Sequence, residues 1–267
     1  MAFCARYRMA ICMIQAYFKI QSVEKLNAAT YSFVIDCPNL AKESWCGRFV
    51  NIQCGEKPLR RPISISEIDQ ENGTVTIVFE VRGEGTAWLA ERKAGDELNI
   101  LGPLGNGFFP DKEKPAIFIG GGIGCPPMLG AARDYGEDAE AILGFRSKEQ
   151  LILLDKFEKC CQSVSVTTND GSFGTKGFVT DILKDKLQEK PDCVVYACGP
   201  MPMLKGVAAM CAEHGVQCYV SLEQRMGCGI GACLVCACKT HEKDGEHMRH
   251  VCKNGPVFDA KEVDFNG

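Results

Sequence analysis

Two patterns of hydrophobic positions follow one another along the chain. Over residues 13–109, apolar and polar residues alternate in short segments such as IQAYFKIQSVEKL, ATYSFVIDC and GRFVNIQC. The most regular segment is TVTIVFEV, in which Val75, Ile77, Phe79 and Val81 fall on one face, as in a strand with one side buried. Short strands of this kind, separated by turn residues, predict an antiparallel β-barrel.

The pattern changes after Pro110. The apolar runs AIFIG, AEAILGF, VSVTT and CVVYAC are each followed by a segment with helical spacing. Strands that alternate with helices predict βαβ units and a parallel sheet. The charged segment Asp111–Pro115 marks the boundary between the two regions.

The last part of the chain follows neither pattern. Beyond about Val220, a segment dense in glycine and cysteine, Met226–Lys239, precedes a polar run over residues 240–249. Such a tail is too small for a hydrophobic core of its own and needs a stabilising cross-link, such as a bound metal or a disulfide.

The predicted organisation is a multi-domain β plus α/β chain. It has a barrel domain at 13–110, an α/β domain at 111–220 and a small C-terminal lobe at 221–267. Residues 1–12 match neither a strand nor an amphipathic helix. We interpret them as an extension, or as the product of a start upstream of a true one at Met13.

Charge and composition exclude several classes of protein. Thirty basic and thirty-four acidic residues give a net charge of -4, so the chain lacks the basic field that binds nucleic acid. The longest charge-free run, Pro115–Ala132, has the 18 residues of a membrane span, but eight of them are Gly or Pro. This run predicts a loop-rich motif and no membrane span. The apolar stretch Met9–Ile14 is six residues long, too short for an export signal.

Seventeen cysteines are more than packing alone requires in a chain of this length. Without an export signal, a secreted disulfide framework is not expected. The cysteine content therefore predicts a cytoplasmic protein, in which cysteines serve as thiols, catalytic groups or metal ligands.

The most specific chemical motif is a set of cysteines in the tail. Cys228, Cys233 and Cys236 have the spacing C-x4-C-x2-C, and Cys252 follows after fifteen residues. This is the ligand spacing of plant-type 2Fe-2S clusters. A loop around a cluster must bring backbone N–H groups close to the sulfurs, and it therefore needs small residues. The chain supplies them at Gly227, Gly229, Gly231 and Ala232.

The alternative for these cysteines is a zinc site. It would use Cys233, Cys236, Cys238 and Cys252, with His241, His247 and His250 as further candidate ligands. Structural zinc sites usually combine two paired ligand sets, and the tail has a single C-x2-C pair. The spacing favours a cluster, with Cys238 as a buried bystander or a spare ligand.

Three turns are candidates for binding a nucleotide. The turn GGGIGCPP follows the first parallel strand, where a glycine-rich turn and a helix N-terminus can face a pyrophosphate. Proline replaces the third glycine of the usual fingerprint, and a tight turn without a ligand is the alternative. Two further turns fall at carboxyl ends of predicted strands, the edge at which such sheets bind ligands. The candidate residues are Gly120, Gly121, Gly122, Gly124, Pro127, Asp170, Cys198, Gly199 and Pro200.

A further candidate lies in the barrel region. The segment Arg60–Ile65 combines guanidinium groups, a proline turn and a hydroxyl group. A guanidinium fork suits a diphosphate, and a nearby hydroxyl can bond a ring nitrogen. The alternatives are a surface strand with an edge proline and, at Gly83–Thr86, a simple hairpin exit.

Taken together, these motifs resemble the ferredoxin-NADP reductase superfamily, with RPIS as its flavin signature and GGGIGCPP plus CGPMPML as its nucleotide signatures. More narrowly, RRPISI, LGPLGNGF, DGSFGTKGFVTD and EQRMGCGIGACLVCACKT resemble the electron transfer subunits of NAD-dependent dihydroorotate dehydrogenase B. The resemblance runs from about Met13 almost to the C-terminus.

The resemblance implies a flavin barrel, an NAD-binding α/β domain and a 2Fe-2S lobe. Its implied FAD residues are Arg61, Pro62, Ile63, Ser64, Val78, Phe79, Glu80, Gly85 and Thr86, and its implied cluster ligands are Cys228, Cys233, Cys236 and Cys252. Glu80 stands where many relatives have a basic residue, and Arg82 is the candidate substitute. Cys198 stands where relatives place a group near the nicotinamide, and a buried packing cysteine is the alternative.

The implied activity is an electron relay in pyrimidine biosynthesis. Dihydroorotate is oxidised at an FMN in a separate catalytic subunit, and electrons pass through the 2Fe-2S cluster and FAD to NAD+. The chain has no recognisable orotate site. It is therefore expected to work with the FMN subunit, as a heterotetramer of two copies of each.

Three other functions stay open at this point. The small subunit of an NADH-dependent ferredoxin:NADP oxidoreductase shares the layout but has aspartate in place of the first cluster cysteine, and here the basic turn Arg146-Ser147-Lys148 is a candidate 2′-phosphate site. A standalone flavin reductase would need no partner. A non-enzymatic nucleotide sensor with a zinc-stapled lobe would contain neither flavin nor iron.

Overall fold

A computed structural model describes residues 13–266 of the protein, so the predicted extension at residues 1–12 lies outside the described residues. The first region is a closed barrel in the order β1-β2-β5-β4-β3-β6, with antiparallel neighbours. Its strands are β1 (Ile14–Lys25), β2 (Thr30–Asp36), β3 (Phe49–Ile52), β4 (Arg61–Asp69), β5 (Thr74–Glu80) and β6 (Glu97–Leu104), and its helices are α1 (Pro38–Lys42) and α2 (Glu84–Ala90). The predicted antiparallel barrel is confirmed.

Alternating side chains fill the barrel. Val75, Ile77 and Phe79 of β5 point into its core, as the sequence pattern predicted. The Phe79 ring meets Phe33 edge-on with a centroid separation of 5.1 Å, a favourable arrangement for two aromatic rings. The strand segments of residues 13–109 therefore owe their order to one shared apolar interior.

The second region is a seven-stranded sheet in the order β10-β9-β8-β7-β11-β12-β15. All of its neighbouring strands run parallel except β15, which pairs antiparallel with β12. Its strands are β7 (Ala116–Gly121), β8 (Glu140–Phe145), β9 (Ser163–Thr168), β10 (Thr175–Lys176), β11 (Val194–Cys198), β12 (Gln217–Ser221) and β15 (Val257–Asp259). Its helices are α3 (Cys125–Tyr135), α4 (Leu154–Cys160), α5 (Val179–Glu189) and α6 (Met201–Glu213). The predicted βαβ alternation is confirmed.

The C-terminal segment is built onto this sheet. It forms a hairpin of β13 (Ala237–Glu242) and β14 (Gly245–His250), then α7 (Val251–Asn254) and β15. Cys236, Cys252 and Phe258 lie in the same apolar core as Ile117 and Val195 of the sheet. The tail thus buries its apolar residues against the α/β domain, because it cannot form a core alone.

The barrel and the α/β region meet along β4 and α3. The Ser66 hydroxyl of β4 donates to the Pro126 carbonyl at 3.2 Å. Glu67 of β4 is ion-paired with Arg133 of α3 and, at 2.6 Å, with Lys156 of α4. These contacts fix the predicted flavin strand relative to the predicted nucleotide turn. No helix within residues 13–266 is long and apolar enough to cross a membrane.

Candidate functional site

The predicted flavin residues Arg61, Pro62, Ile63 and Ser64 form the first half of β4. The guanidinium group of Arg61 lies directly on Gly85, since a Cβ atom added to Gly85 would be 2.5 Å from Arg61 Nε. Any larger residue at position 85 would displace the guanidinium. The two parts of the barrel that the sequence singled out therefore come together.

The turn that leads into α2 lies beside this guanidinium. The Thr86 hydroxyl oxygen accepts hydrogen bonds from the N–H groups of Arg82 (2.9 Å) and Gly83 (3.2 Å), which fixes the turn before the helix. Helix N-termini favour anions. Arg61 therefore presents a guanidinium group beside the start of α2, and the donor geometry of a guanidinium matches the oxygens of a diphosphate.

The predicted residues Val78, Phe79 and Glu80 end strand β5 and face different surroundings. Phe79 points into the barrel core, so only its backbone is available to a ligand outside the barrel. Val78 packs against the core of the α/β region. The Phe79 side chain therefore packs in the barrel, and the Val78 side chain packs at the junction with the α/β region. Only the backbone of these two residues is available to contact a flavin.

Glu80 is held by Arg82. The Arg82 Nε donates to a Glu80 carboxylate oxygen at 2.7 Å, and another of its nitrogens lies 3.6 Å from Glu223. The guanidinium thus sits between two carboxylates at the end of the flavin barrel. From the sequence, Arg82 is the candidate substitute for the basic residue that many relatives have at position 80. Its guanidinium group lies beside Glu80.

The glycine turn after β7 packs on the turn after β11. A Cβ atom on Gly124 would lie 2.2 Å from the Cys198 carbonyl oxygen, and one on Gly121 would lie 3.0 Å from Pro200. Gly122 has φ of +53°, in the left-handed region, which glycine adopts without strain. Since β7 and β11 are neighbours, the turns Gly120–Gly124 and Cys198-Gly199-Pro200 share the carboxyl edge of the sheet, where such sheets bind nucleotides.

The N-terminus of α3 contributes less to an anion site than a glycine-rich helix start would. Pro126 and Pro127 occupy its second and third positions and have no N–H group. The N–H of Cys125 already donates to the Gly122 carbonyl. The first three positions of α3 therefore have no free N–H group for an anion.

Cys198 lies at the end of β11 with Ser221 and Glu223 close to its thiol. Burial raises the pKa of Cys198 to about 12, although a hydrogen bond with Ser221 opposes this shift. The group is consequently a neutral thiol at physiological pH. It can donate a hydrogen bond at this edge of the sheet but is not a thiolate nucleophile.

Asp170 lies in the third predicted turn, after β9. Its carboxylate accepts hydrogen bonds from the N–H (2.9 Å) and the hydroxyl (2.6 Å) of Ser172. These bonds lower the pKa of Asp170. The Ser172 hydroxyl also accepts from the Lys148 N–H at 2.8 Å, so this turn and the basic turn after β8 form one exposed surface, which includes Arg146.

The cysteine loop directs backbone N–H groups at sulfur. Cys228 Sγ accepts from Ile230 (3.4 Å) and Ala232 (3.3 Å), and Cys252 Sγ accepts from Gly231 (3.1 Å). Gly229 and Gly231 have φ of +76° and +82°, which allows the loop to curl around the sulfurs. The four candidate ligands Cys228, Cys233, Cys236 and Cys252 are brought to one place by this loop and by α7.

The backbone donors also change the pKa of the cysteine thiols in the loop. Burial acts to raise the pKa of Cys228, but the N–H groups of Ile230, Cys233 and Ala232 outweigh it and lower the pKa to about 6. Cys228 is therefore largely thiolate at neutral pH, the form that binds metal. Burial raises the pKa of Cys252 to about 12, so metal binding at this sulfur would release a proton.

Backbone hydrogen bonds join the four cysteines in two pairs. The Cys228 N–H donates to Cys233 Sγ at 3.3 Å, and the Cys252 N–H donates to Cys236 Sγ at 3.5 Å. Two thiolates on each of two irons is the arrangement that a 2Fe-2S cluster requires. One zinc ion would instead hold all four ligand atoms within about 4 Å of one another, given Zn–S bonds of about 2.3 Å. Within residues 13–266 the only compact group of three candidate metal ligands is Glu242, Asp244 and His247, which contains no cysteine.

The cysteine loop rests on the flavin barrel. A Cβ atom on Gly229 would lie 2.6 Å from Asn51 Nδ2 and 3.3 Å from Leu104. Asn51 of β3 is paired in register with Pro62 of the flavin segment. Asn51 of β3 thus lies between the cysteine loop and Pro62 of the flavin segment. Sequence analysis did not single out Asn51, because only its contact with the distant residue Gly229 marks it as part of the site.

Three protein-family models match successive parts of the chain. The iron-sulfur cluster binding domain of dihydroorotate dehydrogenase B matches residues 223–264. An oxidoreductase NAD-binding domain matches residues 118–209, and a siderophore-interacting FAD-binding domain matches residues 24–107. The three predicted cofactors, FAD, NAD and an iron-sulfur cluster, are therefore confirmed.

A similar solved structure has the same architecture. The NADH-dependent reduced ferredoxin-NADP oxidoreductase, studied for flavin-based electron bifurcation, superposes with a TM-score of 0.84 at 32% identity. The match covers 94% of this chain and 91% of the other. The two chains therefore share one fold over nearly their whole length.

Curated relatives narrow the assignment. The chain is 43% identical to the electron transfer subunit of dihydroorotate dehydrogenase B (NAD+) from Caldanaerobacter subterraneus subsp. tengcongensis, over 82% of this chain and 87% of the relative. It is 47% identical to the subunit of the same name from Fusobacterium nucleatum subsp. nucleatum, over 82% and 86%. On this similarity, the chain belongs to the family of dihydroorotate dehydrogenase B (NAD+) electron transfer subunits.

Proposed function

We propose that the chain relays electrons from a catalytic partner subunit to NAD+ during oxidation of dihydroorotate, in pyrimidine biosynthesis. The partner is proposed to hold FMN and to bind the orotate substrate. FAD, when bound, exchanges a hydride with NAD and single electrons with the 2Fe-2S cluster. The protein's part is to hold these groups close together in a fixed order.

The contact between the cysteine loop and the flavin barrel supports this proposal most directly. The loop packs through Gly229 onto Asn51, one strand away from the Arg61–Ser64 segment. An electron relay needs its cofactors held at short and constant distance, which a packed interface provides. A zinc-stapled sensor would need neither this proximity nor two pairs of sulfurs.

The site residues have distinct roles in the proposal. Arg61, Gly85 and Thr86 bind the FAD diphosphate, with the rest of the Arg61–Ser64 segment and the backbone of residues 78–80 along the flavin. Cys228, Cys233, Cys236 and Cys252 ligate the cluster. The turns at Gly120–Gly124, Asp170 and Cys198–Pro200, together with Pro127, shape the NAD site. The proposed functional bounds are 13–110 for FAD, 111–220 for NAD and 221–267 for the cluster.

Apolar residues surround the exposed side of the cysteine loop. Ile230, Leu234 and Val235 are 45%, 62% and 56% exposed, and exposed apolar patches mark protein interfaces. We propose that the FMN subunit docks here, because electrons must enter at the cluster. The complex is proposed to be a heterotetramer of two copies of each subunit, working in the reducing cytoplasm.

Docking at this patch is tested by substituting Leu234→Glu and measuring co-purification with the FMN subunit. We expect loss of the partner with unchanged flavin and iron content. Tyr17→Glu is the matched control, since Tyr17 is 68% exposed on the barrel. Retention of the partner by Leu234→Glu, or equal loss with both variants, would place the interface elsewhere.

The relay is tested by reconstitution under anaerobic conditions. Purified FMN subunit, dihydroorotate and NAD+ are mixed with or without this chain, and NADH is followed by absorbance. NADH should form only when the chain is present. NADH formation by the FMN subunit alone, or none in the full mixture, would contradict the proposal.

A second candidate is a subunit of an NADH-dependent ferredoxin:NADP oxidoreductase. It is favoured by the superposition at a TM-score of 0.84 and by the exposed Arg146 beside the Asp170 turn. The cysteine at position 228 argues against it, because the family pattern considered in the sequence analysis has aspartate at the first cluster position. Equal use of NADPH and NADH by the purified chain would support this second candidate.

A further inference from the structure

Asn51 is a buried polar residue without a polar partner. Its residue exposure is 1%. Within residues 13–266 neither its Nδ2 nor its Oδ1 has a hydrogen-bond partner. A buried amide without hydrogen-bond partners destabilises a fold. A side chain of this kind points to a group that binds beside it.

The fold directs this amide out of the barrel. Val50 and Ile52, on either side of it in β3, lie in the barrel core. Because side chains alternate along a strand, Asn51 points the opposite way, to the side that carries Phe49. The Asn51 carbonyl oxygen accepts a hydrogen bond from Arg60 at 3.2 Å, whereas the side-chain amide has no partner among the described residues.

The cysteine loop covers the amide. A Cβ atom on Gly229 would lie 2.6 Å from Asn51 Nδ2, so the amide faces the backbone immediately after Cys228. On the loop side, backbone N–H groups already donate to the sulfurs of Cys228, Cys233, Cys236 and Cys252. Asn51 Nδ2 therefore lies on the barrel side of the cysteine loop, beside the residue that follows Cys228.

We propose that Asn51 Nδ2 donates a hydrogen bond to a sulfur of the cluster and thereby raises the reduction potential of the cluster. Reduction adds one negative charge, and hydrogen bonds to charged acceptors are stronger than those to neutral ones. The donor therefore stabilises the reduced state more than the oxidised state, which is a known way in which proteins set such potentials. The inference rests on the cluster site proposed above.

The test is a redox titration of the cluster followed by electron paramagnetic resonance. Asn51→Leu removes both polar atoms at similar size, and Asn51→Asp keeps the shape but replaces the donor with an acceptor. We expect the equilibrium for cluster reduction to fall roughly tenfold in Asn51→Leu, which is about 59 mV for one electron. Asn51→Asp should shift it at least as far. The FAD potential should be unchanged in both variants.

Gln53→Leu is the matched control. Gln53 follows two residues later, and its Nε2 donates to the carbonyls of Gly55 (2.9 Å) and Lys57 (2.7 Å) within the barrel. This variant removes a carboxamide that is already satisfied, so it should leave the cluster potential unchanged. Electron-nuclear double resonance gives a second readout, in which one exchangeable proton coupling is lost in the Asn51 variants only.

Three results would overturn the inference. They are an unchanged cluster potential in both Asn51 variants, an equal shift in Gln53→Leu, or a shift in the FAD potential alone. The last would mean that the amide serves the flavin through its neighbour Pro62. Iron and sulfide in the wild-type chain are measured first, because their absence would refute the cluster site itself and not the role of Asn51.

Discussion

Asn106 joins the flavin barrel to the segment that carries the last cluster cysteine. Its Nδ2 donates to the carbonyls of Asn254 (3.1 Å) and Val257 (2.8 Å), and its Oδ1 accepts from the Val257 N–H at 3.1 Å. All three bonds lie within five residues of Cys252. Replacing Asn106 with alanine should therefore loosen the C-terminal segment first.

The magnitude follows from these three bonds. At about 1 kcal/mol of net stability for each hydrogen bond, Asn106→Ala should lower the free energy of unfolding by about 3 kcal/mol. For a chain of this size, each kcal/mol corresponds to a change in Tm of roughly 2–4 °C, which gives a decrease of about 6–12 °C. Cluster loss should accompany or precede unfolding, because the Cys252 segment is the part released.

The assay is an anaerobic thermal scan that records far-ultraviolet circular dichroism and visible cluster absorbance together. Asn72→Ala is the matched control, since the Asn72 side chain donates only to Asp69 within an exposed turn; its Tm should change by less than about 2 °C. If Asn106→Ala unfolded at the same temperature as Asn72→Ala, the reasoning from these bonds would be refuted.

Four further predictions concern the cofactor sites. Cys233→Ser should abolish cluster absorbance while NADH still reduces bound FAD; iron content equal to that of Cys161→Ser would refute the ligand assignment. Arg61→Ala should release flavin on gel filtration, and full FAD retention would contradict its role at the diphosphate. Arg146→Ala should leave NADH use intact, whereas selective loss of NADPH use would assign that arginine to a 2′-phosphate. Because the Cys198 pKa is raised to about 12, the thiol stays protonated below that value. The rate of FAD reduction by NADH should then show no step between about pH 7 and 10 that Cys198→Ala removes.

Local patterns were sufficient to predict much of the fold and the cluster motif. The alternation in TVTIVFEV reports one face of a barrel strand, and the structure places Val75 and Ile77 in the barrel core. The cysteine spacing is equally local, since a loop of small residues can wrap a cluster only with glycines at positive φ, as found at Gly229 and Gly231. Signals of this kind lie within a few neighbouring residues.

Contacts between distant segments could not be predicted in this way. Asn51 meets Gly229, and Asn106 meets Val257, although more than a hundred residues separate each pair. Nothing in the sequence around either asparagine marks it as different from a surface amide. The addition of β15 to the parallel sheet was missed for the same reason, because the three-residue strand gains its order from β12 and not from its own pattern.

The central claim is that this chain carries electrons between a dihydroorotate-oxidising partner and NAD+. It is tested most directly by anaerobic purification of the tagged chain from its native host, with analysis of flavin, iron, sulfide and bound proteins. The account predicts FAD, two irons per chain and an FMN-containing partner that forms orotate. Purification with a larger iron-sulfur partner and NADPH chemistry, or as a colourless zinc protein, would contradict it.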